Sequence, residues 1–340
     1  MRKSALRAAL FLIGALAVSL SGAAPPQKAS APDARLEKFF QKKKVTIAVT
    51  DSGLGGLSVT AEAAARLKAA GTFETADLIF YNALFSAEGG YNSLDTRQEK
   101  IDIFQRALEG LESKYRPDLI LVACNTLSVL FEDTAFSRRT KVPVVGIVDT
   151  GVEMMAEGLR AVPGSSVIIF GTPTTISEGT HRRQLEKAGF AAGRIFSQSC
   201  PELESFIEKD SGGAETELLI AAFVEEAVQK LPSPPPPVFA SLNCTHYGYS
   251  LPLWEAAFAG AGVKPAGILN PNSRMADFLF APGRAGRFPR TAVTVRVVSM
   301  VEIDPGKIDS LGRWLARTSP ETAEALKAYE FVPGLFKWSR

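Results

Sequence analysis

Unbroken aliphatic runs recur along the chain, each closed by glycine or a small polar residue and followed by a stretch of helical spacing. Val45-Thr46-Ile47-Ala48-Val49 is the first of them. Such a run, without polar alternation, reads as a strand buried on both faces. Residues 77–81, 119–123 and 142–148 repeat the pattern, the last opened by Pro143, which a strand start tolerates. A second series follows at 167–170, 195–197 and 238–243, with a further strand at 291–301. The intervening segments 58–68, 93–114, 215–231 and 308–317, and the stretch after the turn 171–175 through 185, read as helices. Strands alternating with helices predict an α/β fold with parallel sheets and right-handed crossovers.

The two series look like diverged copies. Each begins with a strand that runs into a glycine-containing turn, Asp51-Ser52-Gly53-Leu54-Gly55-Gly56 in one and Gly171-Thr172 in the other. Each later has a strand ending in a cysteine triplet, Cys124-Asn125-Thr126 and Cys244-Thr245-His246. Open α/β sheets bind ligands at the carboxyl ends of their strands. Two thiols at two equivalent rims suit a reaction that takes a proton from one face of a carbon and returns it to the other. The first turn lacks the spacing of a dinucleotide fingerprint and the lysine of a phosphate loop, so a substrate carboxylate is the expected occupant.

Length and charge narrow the function further. The 340 residues suffice for two lobes, and 46% hydrophobic with 22% charged residues is ordinary for a globular protein. Setting aside Arg2, Lys3 and Arg7 leaves 35 basic residues against 36 acidic ones, so no basic surplus points to nucleic acid. A basic start, an apolar stretch over 8–20 and Ser21-Gly22-Ala23 have the shape of a signal peptide covering 1–23. A leader or linker at 24–44 then follows, and the protein is expected to be exported, in the bacterial periplasm, with no stable membrane span after cleavage. Three cysteines in an exported chain cannot all pair. Cys200, outside any polar triplet, reads as a small buried hydrophobe. With two histidines and no paired ligand spacing, no metal is expected.

These segments together resemble the aspartate/glutamate racemase superfamily, glutamate racemases most closely. The resemblance rests on Asp51-Ser52-Gly53-Leu54-Gly55-Gly56-Leu57, Ala123-Cys124-Asn125-Thr126, Val142-Pro143-Val144-Val145-Gly146-Ile147, Gly171-Thr172 with Thr175-Ile176, Cys200-Pro201 and Cys244-Thr245-His246-Tyr247, in family order. It implies two pseudo-symmetric flavodoxin-like lobes, one from 45–147 plus 267–340 and one from 148–266, with a cofactor-free active site in the cleft between them. It implies an isomerase that racemises glutamate or aspartate. Departures stand out as well. The family's Asp-Thr/Asn…Pro-Tyr-Gly segment is replaced by residues 81–92, with Asn82 in place of the aspartate; Asp149 stands for a glutamate, and Gly248 for a proline.

Within that resemblance, Cys124 and Cys244 are the expected bases, with Asp51 and His246 as the groups that take or orient their protons. Ser52, Asn125, Thr126, Thr172, Thr175 and Thr245 are the expected substrate donors and acceptors, with Asn82 and Tyr91 as further contacts. His181 aligns with a family tyrosine and is expected at a surface or lobe interface. The expected partner is a small amino acid, and a homodimer is the assembly to consider. Two other readings stay open: a relative acting on a hydantoin or a maleate-like diacid, and an amino-acid-binding module without turnover.

Overall fold

The computed structural model describes residues 33–338. The expected signal peptide and residues 24–32 of the expected leader lie outside the described residues. The rest of that leader is structured. Asp33 caps a helix Ala34–Gln41, whose Phe39 and Phe40 are buried against Phe73. Aromatic anchors of this size give a short helix enough apolar burial to dock.

Among the described residues ten strands form two parallel sheets. The first holds β1 (Lys44–Asp51), β2 (Thr75–Asn82), β3 (Leu119–Val122), β4 (Val144–Gly146), β9 (Ala292–Ser299) and β10 (Glu330–Phe331), in the order β10-β9-β2-β1-β3-β4. The second holds β5 (Ser166–Gly171), β6 (Ile195–Ser199), β7 (Val238–Asn243) and β8 (Gly267–Leu269), in the order β6-β5-β7-β8. Numbered within each series, β2-β1-β3-β4 and β6-β5-β7-β8 share one order, 2-1-3-4. That is the flavodoxin-like order, and it places Cys124 and Cys244 after equivalent third strands. β9 extends the first sheet by pairing along the full length of β2, so the C-terminal segment belongs with the first sheet. β8 pairs with β7, so residues 267–269 belong to the second sheet and the chain returns to the first lobe after them.

Local chemistry explains where elements differ from expectation. The helix expected from residue 93 begins at Arg97 because Thr96 and Glu99 form a capping box, Glu99 N donating to Thr96 Oγ1 at 3.2 Å and Thr96 N to Glu99 Oε2 at 2.9 Å. The strand expected over 142–148 stops at Gly146. Ile147 already opens the helix Ile147–Ala161, its N–H satisfied by Ser128 Oγ at 3.2 Å. The helix expected through 185 is broken in two by Gly179, whose φ of +61° only glycine adopts without strain. One apolar core runs from the helix Leu57–Ala70 under β1 to Phe170, Trp254 and Phe258 beneath the second sheet. Among the described residues, no helix is long and apolar enough to cross a membrane.

Candidate active site

The carboxyl ends of the two sheets face a single cleft of about 540 Å³. Cys124 and Cys244 both line it, each nearly buried and each free of a disulfide. Asp51, Ser52, Asn125, Thr126, Thr172, Thr245 and His246 line it too. The turn after β1 reaches the opposite rim because Gly55 has no side chain. A Cβ there would lie 2.7 Å from His246 Nδ1 and 2.8 Å from His246 N.

Each thiol has a proton acceptor on hand. Ser52 Oγ lies 3.1 Å from Cys124 Sγ, so Ser52 touches the thiol as well as the cleft. Burial, with the nearby Asp51 charge, pushes the Cys124 thiol up to about 12. Asp51 is fully buried, and that burial holds its carboxyl above the ordinary range although Thr245 and Gly53 donate to it. Cys244 Sγ lies 3.6 Å from His246 Nδ1. Burial, with the Glu204 charge next, raises this thiol far above its usual range. Both resting sulfurs are therefore thiols, and each requires its neighbour to take the proton.

His246 is held from behind. Its Nε2 lies 2.7 Å from Glu208 Oε1, on the helix Leu203–Lys209. The same oxygen accepts from Leu54 N at 2.8 Å, and Lys307 Nζ donates to the other oxygen at 2.8 Å. Burial would push the Glu208 carboxyl up, yet His246 and Lys307 outweigh it and hold the group near 2. Burial likewise opposes a charged His246, and Glu208 overcomes it, so the imidazole titrates above its ordinary value. Glu208 is therefore the carboxylate of the pair, and it makes His246 a stronger base towards the Cys244 proton.

Substrate-binding groups sit around this centre. Asn125 is buried, and its Nδ2 has no hydrogen-bond partner, while its Oδ1 lies 3.1 Å from His181 Nε2. Burial drops His181 to about 4, so the ring is neutral at ordinary pH and can donate to Oδ1, leaving the Asn125 amide N–H groups for a ligand carboxylate. Thr126 and Thr172 meet hydroxyl to hydroxyl at 2.8 Å across the lobes. Asn92 bridges the cleft mouth, donating to Glu204 Oε1 at 3.1 Å and accepting from Thr174 Oγ1 at 2.8 Å.

Two expected contacts lie elsewhere. Asn82 is absent from the cleft wall. It ends β2, gives its amide to Ser299 Oγ at 3.1 Å and accepts from Leu84 N at 3.0 Å, which ties the β2 and β9 ends together. Thr175 lies behind the wall, bonded to the Thr172 and Thr126 hydroxyls. Tyr91 does line the cleft, with its hydroxyl donating to Ala83 O at 3.2 Å. Asp149 is exposed in the first turn of its helix and accepts from Gln184. His181, expected at a surface or interface, is buried against a cleft residue. Sequence reasoning missed Glu208, Lys307, Glu204 and Asn92. The one signal available for Glu208 was an acid beside Ile207 in a short apolar helix after Cys200-Pro201. Among the described residues no group of three or more His, Cys, Asp or Glu could hold a metal.

Comparison with known proteins agrees with this arrangement. Residues 47–231 match the family model for Asp/Glu/hydantoin racemases, a span that includes Cys124 and ends before Cys244. A glutamate racemase of Aquifex pyrophilus is 28% identical over 205 residues, covering 59% of this chain and 70% of that protein. A glutamate racemase isoform of Bacillus anthracis superposes with a TM-score of 0.63 at 19% identity, over 82% of this chain and 96% of the other. The glutamate racemase of Francisella tularensis, solved with D-glutamate, gives 0.60 at 19% identity, over 85% and 95%. At such identities the structures speak for the fold alone.

Proposed function

The chain belongs to the Asp/Glu/hydantoin racemase family, and from that premise we propose that it inverts the α-carbon of an amino acid by a two-thiol mechanism. It is a racemase, an isomerase that works without pyridoxal phosphate, most like glutamate racemase. The observation that carries the two-thiol reading is the pair of sulfurs on one cleft, Cys244 against His246 and Cys124 against Ser52 within reach of the Asp51 charge.

In one direction Asp51 takes the Cys124 proton, and the thiolate removes the α-proton. A thiol that ionises near 12 gives a strong base, better matched to a very weak carbon acid than an ordinary thiolate. The electron pair left on the carbon collects the proton of Cys244 S–H from the opposite face. The substrate has then exchanged one C–H bond for another of opposite hand, Cys124 carries the proton, and Cys244 is the thiolate. The proton held by Asp51 then passes through solvent to the Cys244 thiolate, which restores both thiols. In the reverse direction His246, made more basic by Glu208, takes the Cys244 proton, that thiolate removes the α-proton, and the carbon collects the proton of Cys124. The free Asn125 amide is suited to hold the substrate carboxylate as negative charge builds beside it.

Glutamate and aspartate lead the list of substrates, and export to the periplasm belongs to the same proposal, with the mass of the mature N-terminus as its check. The test of activity is solvent-deuterium incorporation at the α-carbon of both enantiomers across a panel of amino acids. Exchange that disappears in Cys124→Ala and in Cys244→Ala supports the reading. Tight binding without exchange would leave a binding module.

A further inference from the structure

The two-thiol reading leaves one cleft cation without a task. Lys307 stands in the first turn of the helix Pro305–Thr318, in the C-terminal segment that follows β9 of the first sheet, yet its side chain lines the cleft. Its Nζ donates to Glu208 Oε2 at 2.8 Å, and Leu54 N, also from the first lobe, donates to Glu208 Oε1 at 2.8 Å. Glu208 comes from the second lobe. A buried carboxylate of one lobe is thus gripped by two donors of the other, while Oε1 still reaches His246. From there the contact chain runs through His246 Nδ1 to Cys244 Sγ.

We propose that Lys307 is a positioning residue for the His246–Glu208 pair: it locks Glu208 in place across the closed cleft and tempers how strongly that carboxylate holds a proton on His246. The inference builds on the racemase reading of this cleft.

Without the lysine, Glu208 would keep two of its three donors and lose an ammonium 2.8 Å away. A carboxylate so relieved binds the imidazolium proton more tightly. Asp51 from β1 and Glu204 from the helix Leu203–Lys209 also favour the imidazolium, and the neighbouring Cys244 is a thiol. Lys307 is the counterweight that keeps His246 able to release its proton in the working pH range. The Lys307 side chain is 34% exposed, which moderates its effect and makes it removable without opening a buried cavity.

The test uses the full chain with Lys307→Met and Lys307→Arg. The protein contains two histidines, so the ring signals of His246 and His181 can be separated and titrated by NMR. In Lys307→Met the His246 midpoint rises by about one pH unit, the size expected on losing a charge a few ångströms away. His181 stays put, and Lys307→Arg returns His246 to its wild-type value. In activity, the pH profile of kcat/KM moves to higher pH by the same amount in both reaction directions, because the Cys244–His246 pair titrates as a unit. A merely structural lysine would lower kcat at every pH without moving the profile. An unmoved His246 midpoint in Lys307→Met overturns the proposal. If the midpoint moves but wild-type protein exchanges no α-proton on any amino acid, the electrostatic role of Lys307 stands and the racemase reading falls.

Discussion

Thr245 Oγ1 donates to Asp51 Oδ2 at 2.8 Å, joining the rim of the second sheet to the rim of the first inside a buried pocket. The contact spans 194 positions of sequence and puts the carboxylate proposed to serve Cys124 in the hands of the triplet that carries Cys244. The two halves of the proposed proton relay are mechanically one unit. Thr245→Val keeps the shape and removes the donor. It should cost about 1–3 kcal/mol in chemical denaturation, the penalty of leaving a buried acceptor short of its partner. Thr245→Ser should recover most of it; a neutral Thr245→Val would mean that the bond contributes nothing.

Replacing either thiol should leave the fold in place and stop the chemistry. Cys124 and Cys244 are small, buried and cross-link nothing. Serine fits each site, but its hydroxyl is far too weak an acid to cycle as the base. Cys124→Ser and Cys244→Ser should each lower racemisation by about 100-fold or more, with circular dichroism and melting close to wild type. Full turnover by either variant would remove the two-thiol mechanism.

His181 should act on substrate affinity. With its ring neutral, it fixes the Asn125 amide so that Nδ2 faces the cleft. His181→Phe frees that amide to rotate. KM should rise by about tenfold, roughly the 1.4 kcal/mol of one hydrogen bond, with a smaller change in kcat. Because His181 titrates near 4, its contribution should be flat between pH 5 and pH 8, and a KM that follows a midpoint in that range would contradict the assignment.

Stability should have a maximum set in part by the Glu208–His246 pair. Glu208 ionises near 2 in the fold against 4.5 ordinarily, so its contribution is complete above about pH 4.5 and drains away as pH falls towards 2. His246 is raised, so its contribution is complete below about pH 6.5 and is lost as pH climbs through the folded value. The pair therefore favours the range between those limits. In Glu208→Gln the unfolding free energy lost between pH 5 and pH 2 should be smaller by on the order of 2–3 kcal/mol, read from urea melts over that range. An unchanged slope would mean that Glu208 is not held ionised.

Much of the fold was legible because its causes are local. Residues 45–49, 167–170 and 238–243 are apolar runs with no alternation, and a strand covered on both faces leaves that trace whatever surrounds it. The cysteines could be placed at strand ends for the same reason. Element ends were less legible where a side chain decides them, as with the Thr96–Glu99 capping box and the Gly179 break. Asn82 was expected as a ligand contact because it stands where the family carries an aspartate; its neighbour in space is Ser299 on β9, which no local pattern records.

By itself the sequence determined the two strand series, the glycine turn after β1 and the two thiols that end matching strands. Only the tertiary structure decided what stands behind those thiols. Glu208 is 38 positions from His246, and Lys307 is 99 from Glu208. Hydrophobic periodicity records which face of an element is buried, not which distant charge will meet it. That choice is made when two separately patterned sheets close on one another and each buried charge must find a partner or be neutralised.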